Sequence, residues 1–295
     1  MEILIVGAGI GGLTAATTLR RAGHKVTVCT APLDFRYVPF LTWSVVRAIR
    51  AKSGNWRSYI LTTQHQWFAE KFGFPARAVR QQLHRGLKTL ATDPLGPGPA
   101  AEVQVARRVV SVSPVNGTVE FEDGSSLKGD VIIGADGLFS ITRSAILEGQ
   151  QVDSTPFSTG KNCYRFLIER KALLENAATK TLFERLSTLM VWLAEDTRLV
   201  CYPCDENATV NFVAIHPAEK SDTNGHSWHE RGRKDTLLSI YEEFPLEIKV
   251  ALSLVDAETI RLYPLMDLEQ LPTWTSGRLA LLGDAAHPFL PREWI

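Results

Sequence analysis

The sequence predicts an α/β protein in two domains, one built on a parallel sheet and the other on a mainly antiparallel sheet. The chain opens with a strand, helix, strand pattern, and glycine-bearing turns follow three separated apolar runs. Between them, residues 156–264 contain separated strands of their own. Alternation of strands and helices is typical of parallel sheets. We expect the first domain at 1–155, the second at 156–264, and a return to the first at 265–295.

The first strand and helix are visible as apolar patterns. Residues 2–6 form a continuous apolar run, Leu13, Ala16 and Leu19 recur at helical spacing, and residues 25–29 alternate as a strand does. These elements form a strand, helix, strand unit, which is the beginning of a parallel sheet.

Further elements of the first domain follow in order. Residues 77–90 carry an apolar stripe at helical spacing, and a Pro- and Gly-rich break follows at 93–99. Turn signals at 116–117 and 123–124 predict hairpins. Residues 130–133 then form a short buried strand, and a helix is expected to leave the turn after it.

The second domain contains strands predicted near 164–168, 199–202 and 209–215. Cys201 and Cys204 have the spacing of a redox or zinc motif. However, an active dithiol normally lies at a helix N-terminus, and here the context is strand, turn, strand. We therefore interpret both cysteines as structural.

Composition narrows the class of protein. The 295 residues are 45% hydrophobic, which provides a sizeable core. Because 32 basic residues balance 32 acidic ones, no net field attracts nucleic acid or an anionic membrane. The start has no secretory leader, and the first apolar run is too short to span a membrane. We expect a cytoplasmic protein whose partner is a small molecule.

A metal site is not expected. The polar stretch around His226, Trp228 and His229 lacks a carboxylate or cysteine at a supporting ligand spacing, so we interpret it as a surface loop.

The motif Gly7-x-Gly9-x-x-Gly12 lies between a predicted strand and a predicted helix. Its glycines allow the backbone to approach a pyrophosphate, and the helix N-terminus offers N–H groups and partial positive charge to it. The motif does not distinguish NAD from FAD. An acidic residue is expected about twenty positions later to bind a ribose, but Thr30 ends the second strand, and Asp34 could substitute only if the loop bends back.

Three ordered motifs together resemble those of the flavin-dependent aromatic hydroxylases, which include para-hydroxybenzoate and salicylate hydroxylases. They are the early glycine motif, the turn Gly134-Ala-Asp136-Gly137, and the segment from Trp274 through Gly283-Asp284 to Pro288; Arg80 on the predicted helix adds to the resemblance. The resemblance covers most of the chain. It implies a Rossmann-like FAD-binding domain and a substrate domain.

The resemblance also implies a chemistry. FAD would be reduced by NADH or NADPH, and O2 would then supply a hydroxyl group to an aromatic or polyketide-like small molecule, as in secondary metabolism. The protein would hold the ring beside the flavin and stabilise a phenolate.

Site residues follow position by position from the resemblance. The expected cofactor-binding residues are Gly7, Gly9, Gly12, Arg80, Asp136, Gly137, Gly283 and Asp284. Arg80 has the alternative of being a solvated helical arginine, and His287 is expected to shape the turn under the flavin without transferring a proton.

Arg165 and Tyr202 are the expected catalytic residues, because both resemble positions where related hydroxylases place substrate contacts. The alternative is that Arg165 forms an ordinary ion pair and Tyr202 packs within the sheet.

Two segments depart from the family pattern. Relatives have a glycine-containing loop in the region 31–50, and they continue into a long helix after the segment that ends here as residues 289–295. We therefore expect a chain truncated at its C-terminus, and a catalytically impaired remnant or binding module is the alternative to an active monooxygenase. A weaker alternative is an NAD-dependent dehydrogenase that uses the first motif alone.

Overall fold

The computed structural model describes residues 1–31, 47–53, 56–62, 80–184, 188–221 and 230–288. Asp34, the His226 to His229 stretch and residues 289–295 lie outside this part of the chain, and Arg80 is described by its backbone alone.

The described strands are numbered in chain order. They are β1 (Glu2–Val6), β2 (Lys25–Cys29), β3 (Arg47–Ser53), β4 (Trp56–Thr62), β5 (Glu102–Gln104), β6 (Val109–Ser113), β7 (Thr118–Phe121), β8 (Ser126–Lys128), β9 (Val131–Gly134), β10 (Phe157–Glu169), β11 (Thr188–Leu193), β12 (Arg198–Cys204), β13 (Thr209–Pro217), β14 (Glu230–Arg231), β15 (Arg261–Asp267), β16 (Thr275–Ser276) and β17 (Leu279–Leu281).

The described helices are numbered in the same way. They are α1 (Ile10–Arg21), α2 (Arg80–Thr92), α3 (Ile141–Ile146), α4 (Arg170–Glu175), α5 (Ala177–Phe183), α6 (Lys234–Ile240) and α7 (Leu246–Ser253). None of these helices is long and apolar enough to cross a membrane.

The first of two compact units comprises Met1–Tyr37, Gln81–Phe157 and Met266–Ile295. Its main sheet has the order β16-β17-β9-β1-β2-β5. The pairings of β1 with β2 and β9, of β9 with β17, and of β2 with β5 are parallel. A separate antiparallel sheet, β6-β7-β8, contains the predicted hairpins.

Arg20 orders the Pro- and Gly-rich break of this unit. It lies near the end of α1 and is fully buried. Its guanidinium donates hydrogen bonds to the carbonyl oxygens of Leu90, Ala91, Asp93, Gly96, Gly98 and Pro99. These carbonyls solvate the buried charge, because no water reaches it. One side chain thus joins α1 to the end of α2 and to the segment after it.

The second unit comprises Val38–Arg80 and Ser158–Leu265. It contains an eight-stranded sheet of order β14-β15-β10-β13-β12-β11-β4-β3. The pairings of β10 with β13, β13 with β12, β12 with β11, and β11 with β4 are antiparallel. The predicted α/β class, with a parallel and a mainly antiparallel sheet, is confirmed.

The strands β3 and β4 depart from the expected boundaries, which placed them in the first domain. They pair with each other, and β4 pairs with β11 over six residue pairs from Arg57↔Leu193 to Thr62↔Thr188. This pairing covers an edge of β11 that would otherwise expose unpaired backbone groups.

The two faces of the second sheet differ. Tyr164, Phe166 and Phe212 belong to a large apolar cluster that also includes side chains of α4 to α7. The opposite face holds a smaller cluster with Cys163, Val200 and Val213. Successive residues of a strand point to opposite faces, so Arg165 and Asn211 share the second face. We call this face the polar face.

Candidate functional site

The three glycine-bearing turns meet at one edge of the parallel sheet. Val6 pairs with Gly134, and Gly134 pairs with Leu281, so β1, β9 and β17 end at the same level. The Ala135 N–H donates to the Val6 carbonyl at 2.8 Å, and the Leu282 N–H donates to the Gly134 carbonyl at 2.8 Å. Ligands of open α/β sheets bind outside the carboxyl ends of the strands. The turns therefore form a candidate ligand site.

The glycines of the first turn have different roles. A Cβ atom at Gly7, where φ is +105°, would lie 2.2 Å from the Ala135 carbonyl oxygen, and one at Gly12 would lie 2.0 Å from the Gly7 carbonyl oxygen. Both glycines are required by packing of the protein against itself. A Cβ atom at Gly9 would have no neighbour within 4 Å. Gly9 is therefore the glycine of the motif that faces open space.

The N-terminus of α1 lies at this open position. Gly9 is the N-cap residue, no side chain caps the helix, and its first turn contains no acidic residue. The first N–H groups of a helix have no partner within the helix, and they carry its positive dipole end. An anion placed beside Gly9 would satisfy them.

His84 of α2 holds the same turn, and it was not among the predicted site residues. Its Nε2 lies 2.7 Å from the Ala8 carbonyl oxygen, and both residues are buried. Because a carbonyl only accepts hydrogen bonds, Nε2 carries the hydrogen. Four residues separate His84 from Arg80, so it lies one helical turn from the arginine that the resemblance selected.

Asp136 is directed at the protein. Its carboxylate accepts hydrogen bonds from Ser140 Oγ and Thr142 Oγ1, both at 2.6 Å, and from the N–H groups of Ile141 at 2.8 Å and Thr142 at 3.0 Å. The carboxylate thereby accepts from the first backbone N–H groups of α3. This helix begins at Ile141, a few residues after the turn. Gly137 adopts φ +82° and has open space where a Cβ atom would stand.

Arg143 links the second and third turns and was also missed. It is almost completely buried, and it donates from Nη1 to the Ala285 carbonyl at 3.2 Å and from Nε to the Ser154 carbonyl at 3.2 Å. A further bond reaches the Leu138 carbonyl. Burial lowers the pKa of this guanidinium, and the Asp136 carboxylate opposes that effect.

The third turn begins with Gly283, where φ is +66°, and continues as a single 3-10 turn, Gly283–Ala285. Asp284 is exposed, and its carboxylate has no hydrogen-bond partner in the described part of the chain. A Cβ atom at Gly11 would lie 3.8 Å from the Leu282 side chain, so the third turn is adjacent to the start of α1. The His287 ring lies 5.2 Å from that of Trp274.

Thr30 occupies the position where an acidic residue was expected. It is buried, and its hydroxyl donates to the Ala31 carbonyl at 3.1 Å. Its backbone N–H donates to Gln104, and its carbonyl accepts from Arg107. Thr30 therefore joins the end of β2 to β5 and to the segment after it. Asp34, the alternative acidic residue, lies outside the described residues.

The polar face of the second unit carries Arg165 and Tyr202, the two expected catalytic residues. Both are half-buried, and Arg165 Nε and Tyr202 OH are buried atoms without a hydrogen-bond partner among the described residues. The Arg165 guanidinium lies 5.8 Å from the centre of the Tyr263 ring. No carboxylate in the described ranges forms an ion pair with Arg165, which argues against an ordinary ion pair.

Arg165 and Tyr202 interact electrostatically. Burial raises the pKa of the Tyr202 phenol, and the positive charge of Arg165 opposes that rise. Tyr202 is therefore a neutral hydroxyl near neutral pH, able both to donate and to accept a hydrogen bond.

The two cysteines of the Cys201-Tyr-Pro-Cys204 motif lie on one strand, β12, which extends two residues beyond the predicted end at Tyr202. Residues three apart on a strand point to opposite faces. Both thiols are buried, and burial raises the pKa of each. Neither has the environment of a reactive thiolate.

Comparison with known proteins identifies the family. Residues 1–166 match the family model described as pyridine nucleotide-disulphide oxidoreductase. An FAD-dependent monooxygenase, cfoG of Aspergillus candidus, is 32% identical over 99% of this chain and 73% of its own length. The chain belongs to the FAD-dependent monooxygenases. Hispidin-3-hydroxylase of Neonothopanus nambi is 29% identical over 99% of this chain and 75% of its own.

Solved structures place the monooxygenase in the same fold. A salicylate hydroxylase in complex with its substrate superposes with a TM-score of 0.68 at 22% sequence identity, over 99% of this chain and 74% of the other. The predicted family and its cofactor, FAD, are confirmed, and the alternative of an NAD-dependent dehydrogenase is not supported.

The residues of the monooxygenase fit FAD. The open side of Gly9 and the uncapped start of α1 suit a pyrophosphate. The exposed carboxylate of Asp284, which bonds to no residue that the structure describes, suits sugar or ribitol hydroxyls.

Proposed function

We propose that the chain is an NAD(P)H-dependent monooxygenase that hydroxylates an aromatic or polyketide-like small molecule, with NADH or NADPH as reductant and O2 as co-substrate. The observation that carries this proposal is the meeting of three glycine-bearing turns at one sheet edge, with Gly9 and Asp284 left free for a ligand. The second unit adds a buried face with a cation and a phenol.

In this proposal the first unit holds FAD by backbone groups and one carboxylate. The N–H groups at the start of α1 bind the pyrophosphate beside Gly9, while Gly7 and Gly12 keep the turn close to its neighbours. Asp284 accepts hydrogen bonds from cofactor hydroxyls. Arg80, which begins α2, is assigned to the cofactor by its position in the motif.

Asp136 acts on the cofactor indirectly. Its four hydrogen bonds fix the second turn, which carries Gly137. Arg143 and the shared sheet edge in turn connect this turn to the third one, which carries Gly283. Gly137, with its positive φ and open space, is the member of this turn that a ligand approaches.

FAD supplies the oxygen chemistry when it is bound. The chain must orient the ring and stabilise negative charge on its oxygen. Arg165 is the cation suited to an anionic oxygen of the substrate, and Tyr202 is a neutral hydroxyl suited to hold the same oxygen in place. The names of hispidin-3-hydroxylase and salicylate hydroxylase support an aromatic substrate class.

Oxygen uptake and NAD(P)H oxidation by the FAD-loaded chain, measured with a panel of phenolic acids, test this function. We expect a phenolic ligand to accelerate NAD(P)H oxidation and to gain one oxygen atom, detected by mass spectrometry. Arg165→Met should abolish most of this stimulation, whereas Arg231→Met, a change of an exposed arginine of the same unit, should not. Flavin binding without any ligand-stimulated turnover would refute the proposal.

A further inference from the structure

Asn211 lies between the two residues assigned to the substrate. It belongs to β13, the strand between β10 and β12. Its directly opposite partner on β12 is Tyr202, and on β10 it is Leu167. Arg165 pairs with Val213 and is therefore the diagonal neighbour of Asn211 on the polar face. The register thus puts an amide between a cation and a phenol.

The Asn211 side chain is fully buried, and within the described ranges it has no hydrogen-bond partner. Neither Oδ1 nor Nδ2 makes a hydrogen bond to any described residue. A buried amide without partners costs free energy of folding, so native proteins rarely retain one. Tyr202 OH and Arg165 Nε share this condition. Three neighbouring side chains therefore present unsatisfied polar atoms at the same place.

The buried amide on the other face of the sheet is satisfied. Asn162 of β10 is also buried, and its Nδ2 donates to Ser221 Oγ at 2.9 Å. Ser221 in turn lies 2.8 Å from His216 Nε2. The sheet thus supports a buried asparagine with protein partners at one position and leaves Asn211 without them at another.

We propose that Asn211 determines substrate specificity by binding a ring that carries a hydroxyl next to a carboxylate or carbonyl. This inference rests on the proposed function, since it assigns a contact to the same substrate. The ring hydroxyl donates to Asn211 Oδ1, and the adjacent oxygen accepts from Asn211 Nδ2 and from Arg165. Tyr202 contacts the same oxygens.

The chemistry of the unpaired atoms selects this class of ligand. Arg165 Nε and Asn211 Nδ2 are donors, Tyr202 OH can donate or accept, and Asn211 Oδ1 accepts only. Donors are in excess, so the ligand must present mainly acceptor oxygens and one hydrogen for Oδ1. Arg165, without a described carboxylate beside it, favours a negative charge on those oxygens.

Binding of 2-hydroxybenzoate, benzoate and phenol to the FAD-loaded chain, measured by calorimetry, tests the proposal. We expect 2-hydroxybenzoate to bind about tenfold more tightly than either simpler ring, and Asn211→Leu to remove that preference. Asn162→Leu is the matched control, and it should keep the preference. Equal preference in the wild type and in Asn211→Leu would overturn the proposal, as would a wild type that binds FAD but none of the rings.

Thermal unfolding gives a second readout that needs no ligand. Asn211→Leu should leave the melting temperature unchanged or raise it, because no protein hydrogen bond is lost. Asn162→Leu should lower it. If the melting temperature fell as much in Asn211→Leu as in Asn162→Leu, the Asn211 amide would be hydrogen-bonded within the protein. That result would also overturn the proposal. A wild type that does not bind FAD refutes the proposed function. In that case calorimetry of the same three rings with the FAD-free chain, together with its melting temperature, still decides the role of Asn211.

Discussion

Arg143 Nη1 donates a hydrogen bond of 3.2 Å to the carbonyl oxygen of Ala285, and this buried contact joins turns that are more than 140 residues apart in sequence. The same guanidinium reaches the carbonyls of Leu138 and Ser154. The second and third turns of the FAD-binding unit are therefore held by one side chain.

Replacing Arg143 by Met should destabilise the protein. One buried carbonyl and two partly buried ones would lose their donor, so the free energy of unfolding should fall by about 2–4 kcal/mol. Urea unfolding measures this loss, and FAD affinity, measured by flavin fluorescence, should fall with it. Arg108→Met, which changes an exposed arginine, is the control. Wild-type stability in Arg143→Met would contradict the linking role.

Alanine substitutions at Gly9 and Gly12 should affect different properties, FAD affinity in the first case and stability of the fold in the second. In Gly9→Ala the new methyl group meets nothing within 4 Å, so the melting temperature should be kept while FAD affinity falls by at least about tenfold, because the methyl occupies the approach of the pyrophosphate.

In Gly12→Ala the new Cβ would lie 2.0 Å from the Gly7 carbonyl oxygen, and the fold itself should be destabilised by about 1–3 kcal/mol. Thermal unfolding without FAD and flavin titration separate the two variants. Unchanged FAD affinity in Gly9→Ala would place the cofactor elsewhere.

Asp136→Asn should act chiefly on stability. The amide would direct hydrogens at groups that already donate to the carboxylate, so the loss should be about 2–3 kcal/mol. We expect the protein that remains folded to bind FAD with affinity reduced far less than in Gly9→Ala. Calorimetric FAD titration of the folded fraction distinguishes these cases, and a large loss of affinity with wild-type stability would show direct cofactor contact.

His216 should make stability depend on pH. It is fully buried, and burial lowers its pKa from about 6.5 to about 4, while its hydrogen bond to Ala214 partly opposes this. Between these values the unfolded chain binds a proton that the folded chain does not. The stabilising contribution is therefore complete above pH 6.5 and is lost as the pH falls toward 4.

The resulting difference is measurable by urea unfolding. Between pH 7 and pH 5 the free energy of unfolding of the wild type should fall by about 2 kcal/mol more than that of His216→Gln, because the glutamine side chain does not titrate. Equal losses in the two proteins would show that His216 does not carry the effect.

The local sequence was enough to predict the strand, helix, strand unit, and the family resemblance assigned the three turns to one cofactor. Apolar periodicity defines β1, α1 and β2, and parallel strands necessarily bring Gly7, Gly137 and Gly283 to one edge. The motif did not distinguish Gly9, which faces open space, from Gly12, which packs on its own chain. That distinction depends on distances across the turn.

The remaining features depend on pairing between distant segments. The strand β4 joins β11 although more than 100 residues separate them, so its place in the second sheet was not predicted. The position of Asn211 beside Tyr202 depends on the register of β12 with β13. Arg143 and His84 act on backbone carbonyls, which are identical in every residue and leave no mark in the sequence.

The most direct test of the account is the identification of cofactor bound to the purified chain, before and after incubation with FAD, followed by its reduction with NADPH and NADH. We expect the chain to retain equimolar FAD, a reduced nicotinamide nucleotide to bleach the flavin spectrum, and Gly9→Ala to retain much less FAD than the wild type. A folded wild-type chain that retains no flavin after incubation with FAD would contradict it.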